Sequence, residues 1–265
     1  MNKTWPKLIF ELPTIEAETD TLFDFCYRED STDWDWSEMV YKQHPKLKEM
    51  LVGVKNKLEF YNQIRNYVEI YAKENKVNIE RVREVFQQSW NDIEEKYYTS
   101  LVKDFEIGFP EDIKEIKGSI SINPICPRYL DKWSFNVFYK FSNESAISVS
   151  IHETIHFLYF QKWLEIFPGY DKAKFETPYS EWKLSEILVN PIINNNPVIQ
   201  EILKGYKSPG YGEFRNIVIE GKHLNEYFGE IYQEHLIGRM SFGDFIKKSW
   251  SEYNKYKDII EGQSK

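Results

Sequence analysis

Between Ser142 and Phe167 the chain runs without a helix breaker, and inside that run stand two histidines four residues apart with a carboxylate beside the first: His152-Glu153-Thr154-Ile155-His156. Ser142-Asn143 supplies an N-cap and Glu144 an acid for the first turn, while Pro168-Gly169 ends the segment. The spacing of four places both imidazoles on one helix face, one turn apart. Thr154, Ile155 and Phe157 are uncharged, and Val149 and Leu158 are apolar, so the helix is expected to be buried around the motif. Burying two histidines and a carboxylate is costly unless they find partners. The fold must therefore wrap this helix and bring complementary groups to it.

A metal ion is the simplest partner. Two histidines on one face reach one ion together, and Glu153 points beside the ion, where it can take a proton from a water molecule. A catalytic site of this kind needs a third protein ligand and one open position. Glu186 lies mid-helix among Leu184, Ile187 and Leu188, with Trp182 one turn earlier, a setting in which a carboxylate needs a buried partner. Glu181 competes, but it falls in the first turn, where an acid merely suits the helix dipole. The bland alternative is a pair of core histidines hydrogen-bonded to their surroundings, with Glu153 in solvent.

The segment Val149-Ser150-Ile151-His152-Glu153-Thr154-Ile155-His156-Phe157-Leu158 resembles the active-site helix of the zincin metallopeptidases. The likeness implies one zinc ion per chain on His152 and His156, Glu153 as general base, and a peptide or protein substrate. Tyr159 and Lys162 stand where the metzincin branch would have a glycine and a histidine ligand, which excludes that branch. Ser185-Glu186-Ile187-Leu188-Val189-Asn190 is similar to the gluzincin pattern, in which Glu186 is the third ligand and Asn190 orients His152. No narrower family is identified. Peptide hydrolysis by a zinc-activated water also needs a donor for the developing oxyanion. His223 and Tyr227 are favoured because they follow the metal helices and fall one turn apart if helical, with Tyr206, Tyr211 and His235 as other candidates. Two rivals share the zinc site: an interaction protein without peptidase turnover, and a zinc hydrolase of a non-peptide amide or ester.

Composition narrows the rest. The 265 residues are 42% hydrophobic and 17% aromatic, enough for a large core, and the net charge of −8 argues against a duplex-binding protein. Cys26 and Cys126 form neither a zinc-finger spacing nor a disulfide framework. Met1–Glu11 lacks the apolar core of a signal peptide, and no apolar run approaches a membrane span. The expectation is a cytoplasmic protein with no membrane and no nucleic-acid partner.

Residues 6–12 read as a strand, and 15–36 as acidic and irregular, ending in Asp33-Trp34-Asp35-Trp36. Residues 37–104 read as a helical hairpin turning near Asn75–Asn78, from stripes such as Leu58, Tyr61, Ile64, Val68 and Tyr71. Gly118–Asn123 and Trp133–Phe141 alternate as strands, and the second is a candidate edge for pairing with extended substrate. A helix from Pro178 to Val189 should stop at Asn190-Pro191, with a mainly helical remainder from Pro197. The fold class expected is α+β and zincin-like: a small mixed or antiparallel sheet, the metal helix and a largely helical C-terminal half. A helical N-terminal extension over 1–108 would precede a catalytic domain over 109–265.

Overall fold

The computed structural model describes residues 5–27 and 35–263; Asp33 and Trp34 of the acidic run lie outside them. The elements in chain order are β1 (Lys7–Glu11), α1 (Ile15–Cys26), α2 (Ser37–Gln43), α3 (Pro45–Leu51), α4 (Lys57–Asn91), α5 (Glu94–Phe105), β2 (Glu115–Ser121), β3 (Arg128–Tyr129) and β4 (Ser134–Phe138). They continue with α6 (Asn143–Ile166), α7 (Ser180–Asn195), α8 (Pro197–Ile202), β5 (Val218–Ile219), β6 (Lys222–His223), α9 (Leu224–Leu236), α10 (Phe242–Lys255) and α11 (Lys257–Gln263). The class is α+β, with two compact units, each discontinuous in sequence. Residues 7–90 and 115–147 form one unit; residues 1–6, 91–114 and 148–265 form the other.

The first unit is built on a mixed sheet of order β1-β2-β4-β3, in which β1, β2 and β4 run parallel and β3 antiparallel. Gly118 in β2 lies under the Phe10 ring, where an added Cβ would sit 2.6 Å from the ring, so only glycine allows the two strands' side chains to pack so closely. The strand read as a possible substrate edge is β4, and it is an inner strand. β2 pairs it on one side, β3 on the other, and Asn136 N donates to Pro127 O at 3.0 Å.

Two expectations in this unit are corrected. Residues 15–26 are helical because Thr14 Oγ1 caps Ala17 N at 3.1 Å and Glu16 and Glu18 occupy the first turn. The hairpin turn at Asn75–Asn78 does not form: α4 is one helix of 35 residues. Asn75 Nδ2 donates to Tyr71 O at 2.9 Å, so this polar stretch stays helical. Ile64, Val68, Ile79, Phe86 and Trp90 carry one buried stripe along the whole helix.

In the second unit α6 is buried on nearly all sides from Ser150 to Trp163, as a helix that is apolar all round must be. The expected stop at Asn190-Pro191 is also overturned. α7 continues to Asn195 with Pro191 inside it. An interior proline costs about 3 kcal/mol, but every residue from Leu184 to Ile193 is buried. Burial of Leu188, Val189, Ile192 and Ile193 together exceeds that cost at roughly 1.5–3 kcal/mol per side chain. Gly229 of α9 packs against Pro191, which lets the two helices approach closely.

Candidate metal centre

The site is assembled by two buried helices of the second unit. α6 presents His152 and His156 one turn apart, and Tyr97 of α5 holds the motif from behind. Its hydroxyl lies 2.8 Å from Thr154 Oγ1 and 3.1 Å from Ile151 O. Thr154 Oγ1 in turn donates to Ser150 O at 2.7 Å, so the backbone of the motif is braced within the helix. The His156 ring stacks with Phe160, which stacks on Phe175.

α7 brings Glu186. His152 Nε2 lies 3.2 Å from Glu186 Oε2, His156 Nε2 lies 3.3 Å from Glu186 Oε1, and the two Nε2 atoms are 3.0 Å apart. Among the described residues these three form a group able to hold a metal ion, with one ligand atom of each within 4.8 Å of the others. The distances can be compared with what an ion demands. Zinc bonds of about 2.0–2.1 Å in tetrahedral geometry put ligand atoms roughly 3.3–3.4 Å apart. The two imidazole nitrogens, 3.0 Å apart, and the two carboxylate oxygens, each 3.2–3.3 Å from one of them, are thus spaced close to what one ion requires.

Protons alone do not satisfy the cluster. Each Nε2 carries at most one hydrogen, so the three contacts have two protons at most. If both nitrogens donate to Glu186, two N–H groups face each other at 3.0 Å. If one histidine donates to the other, a carboxylate contact is lost. A cation accepts all three lone pairs at once. Burial by itself would favour the neutral form of the Glu186 carboxyl, but the imidazoles, His156 foremost, outweigh it and hold the group well below the usual carboxylate range.

The three side chains are unequally covered. The His152 side chain is 22% exposed, against 1% for His156 and 6% for Glu186. The group is least covered at His152, and there Glu153 Oε1 lies 3.9 Å from His152 Nε2.

The remaining sequence candidates separate. His223 is exposed and stands at the end of the β5–β6 hairpin, at the N-cap of α9. Tyr227 donates its hydroxyl to Glu252 Oε2 at 2.7 Å. His235 is engaged by Asp104 and Met240, 2.9 and 3.1 Å away. Glu181 accepts from the Tyr170 hydroxyl and is not in the metal group. For Tyr211, burial first, then the charge of Glu186 and that of Glu213, push the phenol above the ordinary tyrosine range. Its ring packs edge-to-face on Trp182 of α7 at 5.5 Å.

Asn190 does a different job from the one its spacing suggested. Its Nδ2 donates to Ser208 O at 2.8 Å, and Asn194 Nδ2 donates to the same carbonyl at 2.9 Å and to Asn190 Oδ1 at 3.1 Å. Ser208 N returns a bond to Asn194 Oδ1 at 2.8 Å. The two asparagines thus tether the Ser208–Gly212 loop to α7. Gly210, at φ +72°, lies where a Cβ would come within 3.0 Å of the amide nitrogens of Asn190 and Asn225. Tyr97 and Asn194 were not singled out by sequence. Asn194 sits in an Asn194-Asn195-Asn196 run that reads as a loop, and its role appears only when α7 extends through Pro191.

Among the described residues no helix is long and apolar enough to cross a membrane. Compared with known proteins, the chain matches no protein-family model, no curated protein and no solved structure. The class that fold and site define is thus an α+β protein with a buried His-His-Glu group able to hold a metal ion.

Proposed function

We propose that the chain is a zinc-dependent metallopeptidase of the zincin type, with His152, His156 and Glu186 as the metal ligands. The observation that carries this reading is the convergence of donor atoms from these three residues beside Glu153, with His152 the most exposed of them. Two imidazoles and one carboxylate suit zinc, and they leave a coordination position for substrate or water. A bound zinc ion would supply Lewis acidity, polarising a carbonyl and making a water molecule more acidic.

The chain's own groups do the rest. Glu153 takes a proton from the attacking water onto a carboxylate oxygen and delivers it to the leaving amine nitrogen. The buried walls of α6 and α7 hold the ligand side chains in place before substrate arrives. Tyr211, on the loop tethered to α7, is proposed as the donor for the developing oxyanion, ahead of His223 and Tyr227. Its phenol stays protonated and senses Glu186, whereas the Tyr227 hydroxyl is engaged by Glu252 and His223 lies on an exposed hairpin.

The test pairs metal analysis with a peptide-library digest. The expected result is one zinc per chain and chelator-sensitive cleavage, with Glu153→Gln keeping the zinc and losing cleavage by about 10²–10⁴-fold. Stoichiometric zinc without cleavage would favour an interaction protein or a hydrolase of another amide or ester. No zinc after reconstitution would sink every metal reading.

A further inference from the structure

A second cavity lies wholly within the first unit and is independent of the metal centre. It has a volume of about 380 Å³, near the lower end of the ~300–1,000 Å³ range of small-molecule sites. Its wall is aliphatic: Ile15 of α1, Val68, Ala72 and Ile79 of α4, and Ile120 and Ile122 at the end of β2. Most of these are buried, so they form the floor.

The charged lining residues are arranged unevenly. Glu69, Lys73 and Lys76 share one face of α4 and are exposed, so they stand at the mouth. Glu69 is paired with Arg65 at 3.2 Å, and Lys76 is only loosely paired with Glu80 at 3.9 Å. Lys73 has no ion-pair partner among the described residues, so the mouth carries a net positive charge. Glu18 is buried in the lining, where its Oε1 accepts from Ser121 Oγ at 2.7 Å and Ile122 N at 3.1 Å. Burial, opposed by these bonds, pushes its carboxyl up to about 7, so at mildly acid pH it offers the cavity a largely uncharged group.

We propose that this cavity binds an unbranched aliphatic carboxylate of medium length, its tail on the aliphatic floor and its carboxylate at Lys73 and Lys76. An aliphatic floor with a cationic mouth matches an amphiphile with one anionic end. A cationic amphiphile meets two ammonium groups at the entrance, and an uncharged one forgoes them.

Isothermal titration of the full chain at pH 6.5 with decanoate, decanol and decyltrimethylammonium tests this. Decanoate should bind one per chain, about tenfold or more tighter than decanol, with no measurable binding of the cation. Ala72→Trp, which fills the cavity from a half-buried helix position, should abolish decanoate binding. The surface pair Lys73→Gln and Lys76→Gln should bring decanoate down to the affinity of decanol while the thermal midpoint stays unchanged. Equal affinity for decanoate and decanol, or decanoate binding that survives Ala72→Trp, would overturn the proposal. Tighter binding of acetyl-Ile-Leu than of decanoate would overturn the fatty-carboxylate assignment in favour of a peptide C-terminus.

Discussion

Two buried histidine–carboxylate clusters lie in the same unit and solve the same problem in opposite ways. At the metal centre, two imidazole nitrogens and a carboxylate crowd within 3.0–3.3 Å of each other, and no placement of protons satisfies all three contacts. At the second cluster, each nitrogen of His235 has an acceptor of its own: Asp104 Oδ1 at 2.9 Å and Met240 O at 3.1 Å. Asp104 Oδ2 takes further bonds from the Tyr232 hydroxyl at 2.5 Å and Asn196 Nδ2 at 3.2 Å. His235 is therefore served by becoming an imidazolium, while His152 and His156 would be served by a cation from outside. The residue types are alike; what differs is whether the lone pairs point at one another or at separate acceptors.

The contrast can be broken at its strongest point first. His156→Ala should lower zinc affinity by more than about 10²-fold, beyond the usual effect of losing a supporting group. In the wild type, removing zinc from a level 1,000 times its Kd should cost about 4 kcal/mol of apparent stability. Competition against a zinc chelator and urea unfolding with and without the metal measure both.

Asp104→Ala should cost about 3–5 kcal/mol, because it leaves a buried imidazolium without its counter-charge. Zinc stoichiometry should stay at one. Urea unfolding beside metal analysis checks the pair of outcomes, and a loss of zinc would show that the clusters are not separate devices.

Two tyrosines sharpen the comparison. Tyr211→Phe should lower turnover by about 10²–10³-fold, as loss of an oxyanion donor does, with little change in stability. Tyr232→Phe should do the reverse, removing about 1.5–3 kcal/mol of stability through its bond to a charged group and sparing turnover. Steady-state kinetics on the cleaved peptide and thermal unfolding of both variants separate the two roles.

The smallest effect is in pH, and there the two clusters have opposite signs. Burial lowers the pKa of His235, but its bonds to Asp104 and Met240 and the charge of Asp104 outweigh that and hold it above the usual histidine value. A raised folded value means that this stabilisation is complete below the unfolded value near 6.5 and is lost as pH rises through the folded value. The slope in metal-free protein should be at most about 1.4 kcal/mol per pH unit, flattened in His235→Gln. Zinc binding should instead strengthen as pH rises, since the ligand histidines must lose their protons. Unfolding curves and zinc titrations from pH 6 to 9 read the two trends.

How much of this was legible in the sequence depends on the range of the interaction. The metal helix was readable from local signals: Ser142-Asn143 at one end, Pro168-Gly169 at the other, and a helical run of Asn143–Ile166 between them. Glu186 was marked by its likeness to the gluzincin pattern and by its setting among apolar residues, and the triad brings it to both histidines. The errors fell where tertiary burial overrode a local punctuator. Asn75–Asn78 read as a turn because it is polar, yet the buried stripe on either side of it carries α4 straight through. Asn190-Pro191 read as a stop because proline lacks an N–H, yet the buried side chains around it carry α7 on.

The sequence by itself determined that a buried helix must bring His152 and His156 to one face, because a four-residue spacing and an apolar setting leave little choice. It also marked Glu186 as a carboxylate in need of a partner. Only the tertiary structure decided the remainder: that the donor atoms converge, that Asn190 tethers the loop bearing Tyr211, and that His235 belongs to Asp104. Each of these joins segments far apart in the chain. Periodicity reports which way a side chain faces along its own helix; what it meets there is set by the packing of the others.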